Sequence, residues 1–420
     1  MEQWKEYKNT PWGIIPSHWE ISTVKNEALV VTDYVANGSF ASLADNVKYK
    51  TTKDIAVLIR LVDFNNSFKG DFIFIDEHAY EFLGKSKLFG DEIIISNVGA
   101  NVGTVFKCPY LKYKMSLAPN AIMVKFKGID NFYYHWFKSR FGQHMLQSIV
   151  TGSAQPKFNK TNFRDLHIPV PPIGEQKRIA DFLSSLDDKI ELNRQINDNL
   201  EQQIKLLFKS WFIENKSDSW VETPFSEVVS FQEGPGIRNW QYVANNGVRF
   251  INIRCIIDGD ISTQNANMIS EDEACGKYSH FMLQPMDIVM SCSGTLGRYA
   301  IVRHEHLPLC LNTSVIRFRP LQSSDDYSFI YGYLSSSEFL NKQIEMACGS
   351  VQANFGPTHL KQITISLPPK DSRKNFNNIV MPIIKTILKN RAEINKLSDL
   401  RDTLLPRLMS GELKINEINC

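Results

Sequence analysis

Gly152-Ser-Ala-Gln-Pro-Lys-Phe158 is written again 197 residues later as Gly349-Ser-Val-Gln-Ala-Asn-Phe355. The same offset sets Leu166-His-Ile-Pro-Val-Pro-Pro172 over Ile363-Thr-Ile-Ser-Leu-Pro-Pro369, Asn193-Arg194 over Asn390-Arg391, Leu200 over Leu397, and Leu207 over Leu404. Residues 152–212 therefore align with 349–409 without a gap, with 14 identities in 61 positions. Ordinary residue usage would give about four, so the chain is read as an internal duplication. Upstream the echo is weaker: Glu92-Ile-Ile-Ile-Ser-Asn-Val-Gly99 resembles Asp287-Ile-Val-Met-Ser-Cys-Ser-Gly294 at an offset of 195, and Trp19 and Trp220 each precede a short strand-like run.

Each half is thus a variable segment, a Gly-Ser-x-Gln loop, an apolar strand ending in Pro-Pro, and a long helix. Apolar runs such as Asp91–Ser96, Asp287–Ser291, Ala121–Phe126 and Thr313–Phe318 read as strands. Tyr133-Tyr-His-Trp-Phe137 reads as part of a core helix, with Phe132, Trp136 and Phe137 at helical spacing and His135 structural. After Pro172 the stripe Ile179, Leu183, Leu186, Ile190, Asn193, Asn197, Leu200, Ile204, Leu207, Trp211 has the 3–4 alternation of a coiled-coil seam. The second copy gives Phe376, Val380, Ile383, Ile387, Asn390, Ile394, Leu397, Arg401, Leu404 and Leu408. Glu175 suits the positive end of the first helix dipole, and the helix should span on the order of 55 Å. Pro382 and Pro406 should kink or restart the second helix. Each apolar stripe needs a partner, and the simplest is the other copy. Antiparallel pairing would place the globular heads at opposite ends, with Asn193 and Asn390 fixing register or facing solvent at a frayed seam. The expected fold class is α+β: two tandem mixed α/β domains, each followed by a long helix, the helices pairing as an antiparallel coiled coil. The expected segments are 1–172, 173–215, 216–370 and 371–420.

Composition narrows the class. Of 420 residues 43% are hydrophobic and 22% charged, typical of a soluble protein. There is no apolar run long enough to span a bilayer, and Met1–Lys8, with no apolar stretch behind its charges, is not expected to act as a secretory leader. Cysteines 108, 255, 275, 292, 310, 348 and 420 show no zinc-ligand spacing, so free thiols, a cytoplasmic location and no metal site are expected. Net charge is +2, distributed as +4 in 1–172, −2 in 173–215, −3 in 216–370 and +3 in 371–420. A negative segment can still bind DNA if its cations share a face.

Chemistry is not apparent on this chain. It has no GxxxxGK[ST] phosphate loop, no Asn/Asp-Pro-Pro-aromatic methyltransferase motif and no glycine-rich dinucleotide fingerprint. What it has is Thr151-Gly-Ser-Ala-Gln-Pro-Lys-Phe-Asn-Lys-Thr161 running into Ile168-Pro-Val-Pro-Pro-Ile-Gly-Glu-Gln-Lys-Arg-Ile179, with Leu404-Leu-Pro-Arg-Leu-Met-Ser-Gly-Glu-Leu413 at the end and Gly13-Ile-Ile-Pro16 to Trp19 at the start. These resemble the junctions of the specificity subunits of type I restriction–modification enzymes. Lys370-Asp-Ser-Arg373 departs from the Glu-Gln-Lys pattern of the first junction. The resemblance implies a non-catalytic subunit with two target-recognition domains, each reading half of a bipartite, asymmetric site in double-stranded DNA. It also implies helices that set the gap, and as partners two adenine-methyltransferase subunits plus motor-nuclease subunits. S-adenosylmethionine, ATP and Mg would belong to those partners and no cofactor to this chain. The competing expectation is a coiled-coil scaffold whose two heads bind proteins and not DNA.

Base reading needs side chains that present donors and acceptors to groove edges, and phosphates favour Arg, Lys and backbone amides. The loop residues Ser153, Gln155, Lys157, Asn159 and Lys160 concentrate such groups, and Ser350, Gln352 and Asn354 repeat them. Because that loop recurs in two heads that should read different sequences, a structural or phosphate-holding role is favoured over base readout. Second candidates are the turns with Ser96, Asn97 and Asn101, and with Ser291, Ser293 and Arg298. Residues that differ between the halves are Lys48, Lys50, Lys85 and Lys87 in the first and Arg238, Arg254, Arg298 and Arg303 in the second. Trp4, Trp12, Trp19 and the Tyr133–Phe137 run suggest base-stacking rings, and of these the run fits a core helix better.

Overall fold

The computed structural model describes residues 7–264, 266–321, 323–347 and 354–414. Packing divides the chain into two units, Met1–Lys189 with Lys396–Cys420, and Ile190–Asn395. The division cuts across both long helices, so each unit combines one head with a stretch of each helix.

In the first unit a four-stranded antiparallel sheet runs in the order Ala28–Asp33, Ala121–Phe126, Ile93–Ser96, Val105–Lys107. All four residues of Ile93–Ser96 are buried, because this inner strand is covered on both faces. Its alternation of faces feeds two cores. Ile93, Ile95, Ile122 and Val124 point to the helices Asp130–Lys138 and Arg140–Ser148 and their Phe132, Trp136 and Phe137. Ile94, Ala121 and Met123 point instead to Val57, Ile59, Met115 and Leu117. Those belong to a second sheet, Ile73–Ile75, Ala56–Ile59, Lys114–Leu117, Lys87–Leu88, whose middle pair is parallel. Trp12 and Trp19 are buried in the first core, Trp12 edge-on to Trp136 at 5.9 Å.

The second unit repeats this plan. Its antiparallel sheet runs Val229–Glu233, Val315–Pro320, Ile288–Ser291, Tyr299–Ile301, and the other sheet again contains a parallel pair, Gly247–Ile251 with Leu309–Leu311. Ile288, Met290, Ile316 and Phe318 face one core, and Val289 and Val315 the other. A buried acid recurs before the inner strand in each: Glu92 lies 3.5 Å from Lys125, and Asp287 pairs with Arg319.

The long helices are Ile173–Phe208, continued as a π-helical turn over Lys209–Glu214, and Lys370–Met409. They begin at equivalent positions despite the different junction sequence. Gln176 Nε2 donates to Pro171 O at 2.8 Å, and Arg373 Nε donates to Pro368 O at 3.1 Å. The second helix does not restart at Pro382 or Pro406. Pro382 and Pro406 lack the amide that would bond the carbonyls of Asn378 and Asp402, and both of those residues are exposed. No helix among the described residues is long and apolar enough to cross a membrane.

Ile179, Leu183, Leu186, Ile190, Asn193, Asn197, Ile204 and Ile387 are buried. Leu200, Leu207, Ile383, Asn390, Ile394, Leu397 and Leu404 are only half-buried, and the neighbouring Phe208, Ile384, Arg391 and Leu405 are buried in their place. The buried stripe follows 3.6 residues per turn and drifts off a strict heptad. Within the second unit Asn193 Nδ2 donates to Glu393 Oε2 at 3.0 Å, Asn390 Nδ2 to Asn197 Oδ1 at 2.9 Å, and Asn197 Nδ2 to Ile387 O at 3.3 Å. Arg391 pairs with Glu201. From Asn193 with Glu393 to Asn197 with Asn390 and Ile387 the partner number falls as the residue number rises, so this pairing is antiparallel. In the first unit Asp187 and Arg401 pair at 2.7 Å.

Asn197 and Asn390 therefore form the direct amide pair. Replacing both with Leu should raise the melting temperature, whereas Asn390→Leu alone strands Asn197 Oδ1 and should lower it. Thermal denaturation of the two variants checks this; equal shifts would show the pair to be energetically idle.

Candidate nucleic-acid interface

Three connections converge at one end of the antiparallel sheet in the first unit. The turn after Ile93–Ser96 is closed by Ser96 N–H donating to Thr104 O (2.9 Å) and Gly103 N–H to Ser96 O (2.8 Å). The repeated loop folds onto that turn. Phe158 N–H donates to Asn97 O (3.0 Å), Gly99 N–H to Pro156 O (2.9 Å), and Asn97 Nδ2 to Phe158 O (3.1 Å). The loop is itself a narrow hairpin: Thr151 and Lys157 exchange backbone bonds of 2.8 and 2.9 Å, and Gly152 takes φ +87°, which a side chain would resist. The third connection starts at Asp33, whose carboxylate pairs with Lys160 at 2.9 Å, and leads through Tyr34–Asn37 to Phe40.

The second unit rebuilds the same junction. Ser291 N–H donates to Arg298 O and Phe355 N–H to Cys292 O, each at 2.8 Å. Ser293 bridges Asn354 as Val98 bridges Lys157. Strand register identifies the acid: Asp33 lies opposite Ile122, itself opposite Ile95, while Glu233 lies opposite Ile316, itself opposite Met290. Pro357 stands where Lys160 does in the first half. Glu233 accordingly makes no ion pair among the described residues, and burial pushes its carboxyl above the ordinary range.

A family model described as the type I restriction modification DNA specificity domain matches twice, at residues 34–202 and 218–398. The chain belongs to the type I restriction–modification DNA-specificity family. It is similar to the type I restriction enzyme MjaIX specificity subunit of Methanocaldococcus jannaschii, 24% identical over 98% of this chain and 98% of that one. The MjaVIII specificity subunit of the same organism is 26% identical over 78% of this chain and 80% of its own. Among solved structures, the S subunit of a type I restriction–modification system from M. genitalium shares the fold, with a TM-score of 0.54, 17% identity, and 93% and 96% of the two chains covered.

In this specificity chain the candidate side chains separate into free and engaged groups. Ser153, Gln155, Lys157 and Asn159 are exposed, although Asn159 also caps the helix Lys160–Arg164 by accepting from Asn162 N–H at 2.7 Å. Ser96 is buried and its backbone closes the turn. Asn101 is exposed at the turn's tip. Lys50 is held by Asp54 and Asp76 at 2.7 and 3.1 Å, and Lys87 by Glu81 at 2.7 Å while lying over the Tyr80 ring. Lys160 is held by Asp33. Lys48 and Lys85 are exposed and form no ion pair among the described residues.

In the second unit Arg303 is buried between Asp260 and Glu305, so it is withdrawn from any ligand. Its charge faces those acids because it anchors a turn and not a surface. Ser291 is buried too, its Oγ donating to Thr295 O at 2.7 Å and accepting from Arg298 N–H at 3.1 Å. Arg238, Arg254 and Arg298 are exposed and without carboxylate partners among the described residues. Arg254 projects from a turn fastened by Ile253 N–H to Ser314 Oγ at 3.1 Å, and Arg298 lines a cavity of about 410 Å³ with Glu201, Lys205 and Tyr299. Ser293 is half-buried and Asn354 exposed. Ser350, Gln352 and Trp4 lie outside the described residues. The sequence does not mark out Asp33, Glu233, Phe40 or Trp240; strand register makes the two acids equivalent, and exposure marks the two rings.

Proposed function

We propose that this chain is the non-catalytic specificity subunit of a type I restriction–modification complex, and that each head reads one half of a bipartite, asymmetric duplex site. The observation that carries this reading is the junction built twice from the same backbone bonds but furnished with different exposed side chains. A common frame with variable tips suits two readers of unlike sequences, since phosphate contacts fix position and base contacts specify. In this reading the helices set the gap between the half-sites, and the chain positions two methyltransferase subunits and the motor-nuclease subunits. S-adenosylmethionine, ATP and Mg act on those partners.

Methylome sequencing of a methylation-free host expressing this chain with its cognate methyltransferase subunit tests the proposal. The expected result is one new adenine-methylated motif made of two short half-sites and a fixed unspecified gap. No new methylation from a stable complex would favour a protein scaffold. Once the site is known, Arg238→Ala and Arg254→Ala sort the free arginines. An arginine that reads guanine should relax one position by about 1–3 kcal/mol. One that holds a phosphate should weaken all sequences alike and lower the salt slope by about 1.

A further inference from the structure

Two large aromatic rings stand almost fully in water on the connection that follows the equivalent edge strand of each head, Phe40 at the start of the helix Phe40–Asn46 and Trp240 in the 3-10 turn Asn239–Gln241. Phe40 is 82% exposed and Trp240 is 80% exposed. Each comes seven residues after the acid, Asp33 or Glu233, that strand register makes equivalent. In both heads the base of the segment is anchored while the ring is not. In the first, Asn37 Nδ2 donates to Ser86 Oγ at 2.8 Å, and the Ser39 hydroxyl caps the helix Phe40–Asn46. In the second, Gln241 accepts from Arg238 N–H at 2.9 Å and donates to Glu273 at 2.8 Å and Tyr278 OH at 3.1 Å.

A single exposed apolar side chain needs no explanation. Two rings on the connections that leave equivalent strands, anchored behind and bare in front, call for one. Other exposed aromatics of the first head lack this twin: Phe89 and Tyr110, 70% and 77% exposed, fall near Gln284 and Glu305 at the offset of 195 that relates the adjoining inner strands. Exposed cations occur on the same connections. Arg238 lies two residues before Trp240; Lys85 is joined through its backbone N–H to Asn37 at 2.8 Å, and Lys48 Nζ donates to Ala44 O on the helix that Phe40 opens. An aromatic wedge beside cations fits a charged backbone with stacked π-faces inside it, which is duplex DNA.

We propose that Phe40 and Trp240 each insert between base pairs, one ring in each half-site. The proposal rests on the reading that the heads bind DNA. Stacking is tolerant of sequence, so one device can serve two heads that read different bases.

The test uses the complex with its methyltransferase subunits and duplexes carrying the methylated motif, with 2-aminopurine placed in turn along each half-site. Wild type should show a fluorescence rise at one step per half-site that Phe40→Ala removes only in the first and Trp240→Ala only in the second. Each variant should bind about 10–100-fold more weakly, with an unchanged salt slope and unchanged melting temperature, and Phe40→Leu and Trp240→Phe should recover most of the affinity. Unchanged binding by both alanine variants overturns the proposal. Weaker binding with the fluorescence pattern intact also overturns insertion, assigning the rings to the groove edge. If wild type shows no salt-dependent binding at all, it is the DNA-reading function that fails.

Discussion

Arg373→Gln is expected to destabilise the second unit by about 3–5 kcal/mol, although glutamine is what the first half carries at this position, as Gln176. Both residues are buried and both donate to a proline carbonyl at the helix start, so glutamine can keep that bond. Arg373 has a second task. Its guanidinium pairs with Asp326, which is 1% exposed at the foot of the helix Tyr327–Leu334. Burial pushes the Asp326 carboxyl above its usual range while the arginine opposes the shift. Without Arg373 the carboxylate is stranded, because removing one member of a buried pair costs far more than the pair contributes. Chemical denaturation read by hydrogen exchange in Tyr327–Leu334 measures the loss. Asp326→Asn should restore most of it in the Arg373→Gln background. The loss should also shrink toward acid pH, since a stranded carboxyl with a raised pKa is relieved by protonation. A single variant as stable as the parent, or a double variant no better than the single, would refute the coupling.

The duplication was legible because its best-matched stretch, 152–172 against 349–369, is where backbone bonds are reused: Phe158 and Phe355 dock on Asn97 and Cys292 in the same way. The helices were legible as period and length, but their facing residues drifted by one, from Ile383 to Ile384 and from Leu404 to Leu405. Strand equivalence was not legible from the two apolar runs: Val124, and not Phe126, lies opposite Ile93 as Phe318 lies opposite Ile288. A shift of two keeps every side chain on its face, so alternation alone does not detect it. Among the candidate cations, Lys50 and Arg303 are each held by one acid near in sequence, Asp54 and Glu305, and by one remote acid, Asp76 and Asp260, that only the fold brings close. Phe40 and Trp240 escaped notice because exposure is decided by what the rest of the chain leaves uncovered.

Two buried histidines should make the protein lose stability as pH falls below about 6.5. His135 is 1% exposed, and burial pushes its pKa down to about 3; His306 is 5% exposed, with its pKa pushed down to about 4 by burial and then by Arg303. His135 faces Asp187 at 3.9 Å, but Arg401 holds that carboxylate at 2.7 Å, while Lys138 and Lys107 add further positive charge. His306 faces Asp260 at 3.5 Å, which Arg303 occupies, with Glu305 and Arg391 nearby. Its Nδ1 also accepts from Arg303 N–H at 3.2 Å, which requires an unprotonated lone pair. Each imidazole is therefore neutral when folded and charged when unfolded. The unfolded chain binds more protons, so stability is complete above pH 6.5 and falls by up to about 1.4 kcal/mol per pH unit per histidine. The loss runs down to about pH 3 for His135 and about pH 4 for His306. Asp130 and Asp326, whose carboxyls are raised by burial, titrate with the opposite sign, so the decisive quantity is the difference between parent and variant. Urea denaturation at stepped pH should show a shallower slope for His135→Gln in the first unit and for His306→Gln in the second. Slopes that match the parent would mean that the rings are already charged in the folded protein, and that Asp187 and Asp260 outweigh burial.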